Sequence, residues 1–290
     1  MILASLGIIK NSVTFFPILD TYTGSSGAFS VFKERTAYSG NCIRVRRSSD
    51  NSESDIGFVN NYIDTTSLLS FVGSSDGFVT TFYDQSGNAR NLTQATATFQ
   101  PKIVSSGVLN TSGGYATIIF DGTNDYLVSF SLGAIFSGGN NIPMSSYFVC
   151  DFTATSTQVP FTLALSTTST GLEEWYPMYK TSSNYNTYKR ENSGASKSAS
   201  GGTAVLNQQL LSQTHSGTTY NLYKNGTQII TNADMNLNST TLDNLAIGAE
   251  VRNTIGTFSA IKMQQLFIWN SNESANISTV NTLIKTRFGL

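Results

Sequence analysis

The chain has almost no histidine and almost no cysteine: His215 is the single imidazole in 290 residues, and Cys42 and Cys150 are the two thiols. Counting alone excludes a structural zinc site or a His-rich metal centre, which need several such ligands together. A Ser-His-Asp triad would have to use His215, which sits in Gln213-Thr214-His215-Ser216-Gly217 with no Gly-x-Ser-x-Gly nucleophile elbow nearby. It reads as a strand-end or loop histidine. The two cysteines lie far apart and do not make the multi-bridge scaffold of a small secreted domain, so they read as isolated thiols.

Charge is also scarce. Lys and Arg number 17 against 18 Asp and Glu, a net charge of -1, and charged residues make up 12% of the chain. No field of either sign exists to hold a polyanion, which argues against nucleic acid as a partner. No apolar run approaches the roughly 20 residues of a membrane span. The start, Met1-Ile2-Leu3-Ala4-Ser5-Leu6-Gly7-Ile8-Ile9, has no basic residue before its short apolar stretch and carries Lys10 after it, unlike a secretory signal. Residues 1–17 are therefore expected to be a docking segment and residues 18–290 one folded domain. Ser, Thr and Asn supply roughly a third of all positions and the surface is uncharged and polar, while 39% hydrophobic and 11% aromatic residues provide a core.

What is present has the period of strands. Short alternating runs such as Cys42-Arg47, Gly77-Tyr83, Tyr147-Phe152, Gln208-Thr214 and Phe258-Trp269 are punctuated by Gly, Asn and Ser, as in an all-β sandwich. Asn225-Gly226, between Thr219-Tyr223 and Gln228-Thr231, predicts a hairpin with a type I′ turn. In the last strand the alternation slips at Gln264-Gln265, which predicts a bulge, and Phe267 and Trp269 then need cover on the other face. A short helix over Thr65-Phe71 is expected from its Asp64 cap and Gly73 stop, and a C-terminal one over about Glu273-Arg287 from Asn272 and Gly289. Gly194-Gly202 reads as a flexible loop.

The segment from Gly77 to Ala95 carries the most information. A strand runs into Asp84-Gln85-Ser86-Gly87-Asn88, a tight polar turn in which the Asp84 carboxylate can accept backbone N–H groups. With Phe29-Ser30-Val31 and the run from Cys42 to Phe58, it resembles the N-terminal part of the catalytic domain of fungal-type α-L-arabinofuranosidases B. That resemblance covers roughly residues 18 to 105 and implies a concanavalin-like sandwich. The second half is similar to laminin-G-like jelly rolls through Tyr115-Leu127, Leu222-Ile229, Leu245-Gly248 and Gln265-Asn270. The fold class is thus an all-β concanavalin/laminin-G-like jelly-roll β-sandwich with a short C-terminal helix. The joined pattern and its Leu-Ala-Ser-x-Gly-Ile-Ile start also look like proteins carried by tailed bacteriophages.

A glycosidase needs two carboxyls across a pocket. In the arabinofuranosidases the nucleophile lies close to an adjacent disulfide-bonded cysteine pair, which this chain lacks, and Glu173-Glu174 beside Trp175 receives no catalytic role. Arg44, Arg46, Asp55 and Asp84 read as structural, with Arg44, Arg46 and Arg47 in a local ion-pair cluster with Asp50, Glu53 and Asp55. Trp175, Tyr176, Tyr179, Tyr185 and Tyr188 form a candidate ligand-stacking surface. Asp121, Asn124 and Asp125 make an Asx-turn or offer oxygen ligands to Ca²⁺, with the metal-free turn favoured. The expectation for function is a non-enzymatic bacteriophage virion surface protein, a homo-oligomer joined to other virion proteins through its N-terminal segment and binding host or environmental glycan. The alternatives are a glycoside hydrolase of arabinofuranosidase type and an exported cellular adhesin domain.

Overall fold

A computed structural model describes residues 15–136, 142–168, 173–237 and 241–290, together with the backbone of 138–139 and 239–240. Most of the expected docking segment, residues 1–14, lies outside the described residues. The expected all-β jelly-roll sandwich is what forms. In the first sheet the order is Thr227–Asp234, Thr219–Lys224, Gln209–His215, Met144–Phe152 and Ala260–Trp269, all antiparallel. Gly27–Ser30 and Ile118–Asp121 share the far edge of that last strand. In the second sheet Glu53–Ile56, Ile43–Arg47 and Gly77–Phe82 lead through Leu92–Thr93 to Leu127–Ser129 and Asn244–Ile247. Phe161–Ala164, Glu174–Lys180, Asn184–Arg190 and Ser196–Thr203 complete it.

Alternation turns one face of each sheet inward, and aromatic pairs mark where the two faces meet. Phe29 meets Phe82 with ring centroids 5.7 Å apart, Phe148 meets Phe161 at 5.8 Å, and Trp175 meets His215 at 5.1 Å. His215 closes the strand Gln209–His215 and is fully buried. Cys42 and Cys150 are both free and buried in this core.

The local signals hold up. Asn225 and Gly226 take φ of 47° and 79°, the two positive values of a type I′ turn. At the expected bulge the pairing steps from Val149↔Gln265 to Cys150↔Met263 and leaves Gln264 over. Its side chain turns to the small hairpin before Ile118–Asp121, in which Thr111–Ser112 pairs with Tyr115–Ala116, and donates to the carbonyls of Ser112 at 2.9 Å and Tyr115 at 3.2 Å. The Asp64 carboxylate caps Thr65–Val72 by accepting from the Ser67 N–H at 3.0 Å.

The C-terminal helix spans Ile277–Phe288 and stops at Gly289 with φ 71°. It begins later than expected, because Asn276 is the cap residue while Asn272 accepts from the Ser274 N–H in a preceding turn. The helix covers the outer face of the first sheet, where its Asn281 accepts from Ser212 Oγ at 2.7 Å. A larger departure is Gly194-Gly202, which is not a loop: Ser196–Thr203 is an edge strand paired with Asn184–Arg190. Its Ser, Ala and Gly side chains carry no apolar alternation, and a Cβ on Gly201 would lie 1.9 Å from the Ile229 carbonyl oxygen.

Candidate functional site: a buried carboxyl pair on the outer face of the second sheet

Glu174 opens the strand Glu174–Lys180, opposite Ala164 on one side and Arg190 on the other. Its neighbour Trp175 points into the core, so the pleat turns Glu174 and Tyr176 to the outer face. Over that face lies a small hairpin in which Glu250–Val251 pairs with Ile255–Gly256. Outward residues of two strands anchor it: Thr162 Oγ1 donates to the Ala249 carbonyl at 3.0 Å, and Asn244 Nδ2 to the Val251 carbonyl at 2.9 Å. The hairpin thereby brings Glu250 to the guanidinium that also holds Glu174.

Both carboxyls are buried. Arg252 spans them, with Nη1 3.0 Å from Glu174 Oε2 and Nη2 2.6 Å from Glu250 Oε2. Tyr176 donates its hydroxyl to Glu174 Oε2 at 3.2 Å. Glu250 Oε1 is buried and accepts from no described donor. Burial, then the hydrogen bond to Glu174, then the Glu174 charge push the Glu250 carboxyl well above the usual range, against the opposing pull of Arg252. One carboxyl of the pair thus holds a proton near neutral pH while its partner is held by a guanidinium.

Sequence reasoning paired Glu173 with Glu174, and the structure separates them. Glu173 takes φ 57°, with its carbonyl accepting from the Leu165 N–H at 3.2 Å, and Glu174 finds its partner on the remote hairpin. The available signal was Glu250-Val251-Arg252, an acid and a base two positions apart just after Gly248.

The candidate stacking surface divides in two. Trp175 and Tyr185 are core residues, so neither offers a ring face to a ligand. The correction follows from alternation: the two strands turn Trp175 and Tyr185 inward, where Lys189 Nζ lies 4.8 Å from the Trp175 ring centroid. Tyr176, Tyr179 and Tyr188 are half-buried and stay together, with Tyr176 6.1 Å from Tyr179 and 5.6 Å from Tyr188. That places a tyrosine group beside the carboxyl pair.

Other singled-out residues have structural partners. Asp84 Oδ1 accepts from the N–H groups of Ala28 at 2.8 Å and Ser86 at 2.9 Å, and Oδ2 from that of Arg90 at 3.0 Å, which ties the turn to the first sheet. Arg44 pairs with Glu53 at 2.6 Å and Asp55 at 3.2 Å, and Arg47 with Asp50 at 2.6 Å. Asp121 Oδ1 accepts from the N–H groups of Thr123 at 2.7 Å and Asn124 at 3.2 Å, the geometry of an Asx-turn. Asp125 Oδ2 accepts from the Asp121 N–H at 3.1 Å.

The protein is, in class, a jelly-roll β-sandwich with a buried carboxyl pair on one outer face. Residues 21–141 match the family model of the α-L-arabinofuranosidase B catalytic domain. Among solved structures the chain is similar to an arabinofuranosidase complexed with arabinofuranosyl-α-1,2-xylobiose, at 13% identity and a TM-score of 0.65 over 93% of this chain and 64% of that one. It is similar also to a GH54 α-L-arabinofuranosidase soaked with a cyclic sulfate inhibitor, at 14% identity and a TM-score of 0.66 over 93% of this chain and 65% of that one. The chain thus spans just under two thirds of the length of these structures, and at such identities the likeness is one of fold. No curated protein matches it. These findings overturn the expectation of a non-enzymatic phage virion protein, because the matches fall on arabinofuranosidase domains and favour the glycoside hydrolase alternative.

Proposed function

We propose that this protein is a glycoside hydrolase of arabinofuranosidase type, with Glu174 and Glu250 as its two carboxyls. The observation that carries the reading is their pairing under Arg252, which lies outside the matched segment and is independent of it. Glu250, protonated near neutral pH, is the general acid that gives its proton to the departing glycosidic oxygen. Glu174, held by Arg252 and Tyr176, is the carboxylate that meets the developing positive charge at the anomeric carbon. In a retaining course the second carboxyl acts as the nucleophile. In that course Glu174 forms the glycosyl bond as the leaving group departs, and water then breaks it with Glu250 as base. Tyr176, Tyr179 and Tyr188 supply rings for the sugar beside the pair.

The test is hydrolysis of 4-nitrophenyl α-L-arabinofuranoside. The wild-type protein should release nitrophenol, and Glu174→Gln and Glu250→Gln should each lower kcat by about a hundredfold or more while melting like the wild type. Failure of the folded wild-type protein to turn over the substrate, or full activity in both variants, would overturn the assignment.

A further inference from the structure

Apart from the carboxyl pair, a groove of about 660 Å³ lies where Lys102–Ser105 joins Gly77–Phe82 of the same sheet to Ile118–Asp121 of the first, lined by Arg46, Phe78, Lys102, Ile119, Asp121 and Asp125 among others. The size lies within the range of small-molecule and saccharide sites. Its cations are already committed. Arg46 donates to Gln100 at 2.7 Å, to Asn51 at 2.8 Å and to the Ala97 carbonyl at 3.2 Å, and Lys102 pairs with Asp76 at 2.9 Å. An anionic ligand would find no open cation and two carboxylates, so it is disfavoured.

The groups with capacity left are acceptors. Asp121 uses Oδ1 in its turn and Asp125 uses Oδ2 on the Asp121 N–H, and no described residue donates to the second oxygen of either. A ligand that fits must donate, which means hydroxyls or a cation. Among the described residues no group of three His, Cys, Asp or Glu side chains converges to hold a metal ion. Ile119 adds an apolar wall that suits the C–H face of a sugar ring, while the Phe78 ring already faces the Arg46 guanidinium and the Lys102 ammonium, 4.8 and 5.2 Å from its centroid. Burial, then the Asp121 charge, push Asp125 up to about 7, so its carboxyl can both donate and accept near neutral pH.

We propose that this groove is a second saccharide-binding site that grips the main chain of a neutral, branched polysaccharide whose side-chain sugar reaches Glu174 and Glu250. The placement accounts for such a role. From Gly77–Phe82 to Glu174–Lys180 the sheet steps through Leu92–Thr93, Leu127–Ser129, Asn244–Ile247 and Phe161–Ala164. Five steps at the ordinary strand spacing amount to roughly 24 Å. A single arabinofuranoside cannot touch both places, whereas a polymer can. The inference rests on the hydrolase reading for its substrate, though the groove can be tested without it.

The experiment compares arabinoxylan with 4-nitrophenyl α-L-arabinofuranoside for Asp125→Asn, Asp121→Ala and Thr98→Trp, the last adding bulk at an exposed residue of the groove wall. Each variant that melts like the wild type should raise KM on arabinoxylan about tenfold, the worth of one or two hydrogen bonds, and leave turnover of the small substrate unchanged. An unchanged KM on arabinoxylan, or equal losses on both substrates, would overturn it. In parallel, xylotetraose binding is titrated calorimetrically with and without EDTA. Binding that EDTA spares and Thr98→Trp abolishes supports the groove even if the wild-type protein hydrolyses neither substrate, in which case the hydrolase reading alone fails. No binding, or binding that needs calcium, removes the saccharide site.

Discussion

Arg287, near the end of the C-terminal helix, forms a buried ion pair with Glu34 at the other end of the chain. The guanidinium also donates to the Phe16 carbonyl and lies over the rings of Phe15 and Phe32, 4.7 and 5.2 Å from their centroids. Glu34 accepts in addition from Ser30 Oγ at 3.0 Å. Removing the cation leaves the carboxylate buried without a counter-charge, so Arg287→Met should cost about 3–5 kcal/mol. Urea unfolding measures this, and Glu34→Gln in the same chain should recover much of the loss. A single variant as stable as wild type would show that the pair does not hold the helix in place.

His215 predicts an acid-sensitive core. Burial first, then the Lys189 charge, push its imidazole down from 6.5 to about 4, so the folded protein holds it neutral. Between those values the unfolded chain binds the proton that the folded one refuses. Its contribution is therefore fully present above about pH 6.5 and is lost as pH falls toward 4. Linkage over that interval is on the order of 3 kcal/mol. Urea midpoints between pH 4 and 7 should fall steeply for the wild type and less for His215→Leu. Parallel curves for the two would refute the assignment.

The Asn225-Gly226 turn offers a cleaner backbone test. A Cβ on Gly226 would meet the flexible Lys285 side chain at 3.7 Å, an ordinary contact, so the cost of Gly226→Ala comes from its φ of 79°. That should be about 1 kcal/mol by thermal or urea melting. A neutral substitution would mean that the turn tolerates a different type.

Features set by a few neighbouring residues were legible in the sequence. Asn225-Gly226, the Asp64 cap, the Gly289 stop and the Gln264 bulge each follow from backbone rules acting over a handful of positions. The Asp84 turn was legible for the same reason, although its bond to Ala28 joins distant segments. The carboxyl pair was not, because Glu174 and Glu250 meet through a hairpin folded over a sheet whose strand order no local pattern specifies. The aromatic group misled in a related way: Trp175 and Tyr185 are close in sequence to Tyr176 and Tyr188, yet the pleat sends them to opposite faces. Ser196–Thr203 escaped notice because an exposed edge strand of small residues lacks the apolar period that marks buried ones.

Substitution of Arg252 tests whether the pair is catalytic, as proposed, or merely buried. Its guanidinium contacts both carboxyls and lowers the Glu250 pKa against the larger upward push of burial and Glu174. A general acid must keep its proton, so the alkaline limb of the kcat profile reports the loss of that proton from the pair. Arg252→Met removes the downward pull, and the alkaline limb should move to higher pH. The same change leaves Glu174 without its cation, which should lower kcat about tenfold or more at the optimum through loss of a charge-assisted hydrogen bond. Arg252→Lys, which keeps the charge without the fork, should restore the position of the limb more fully than the rate. A profile recorded on 4-nitrophenyl α-L-arabinofuranoside whose alkaline limb stays fixed in both variants would assign that limb to a group other than Glu250.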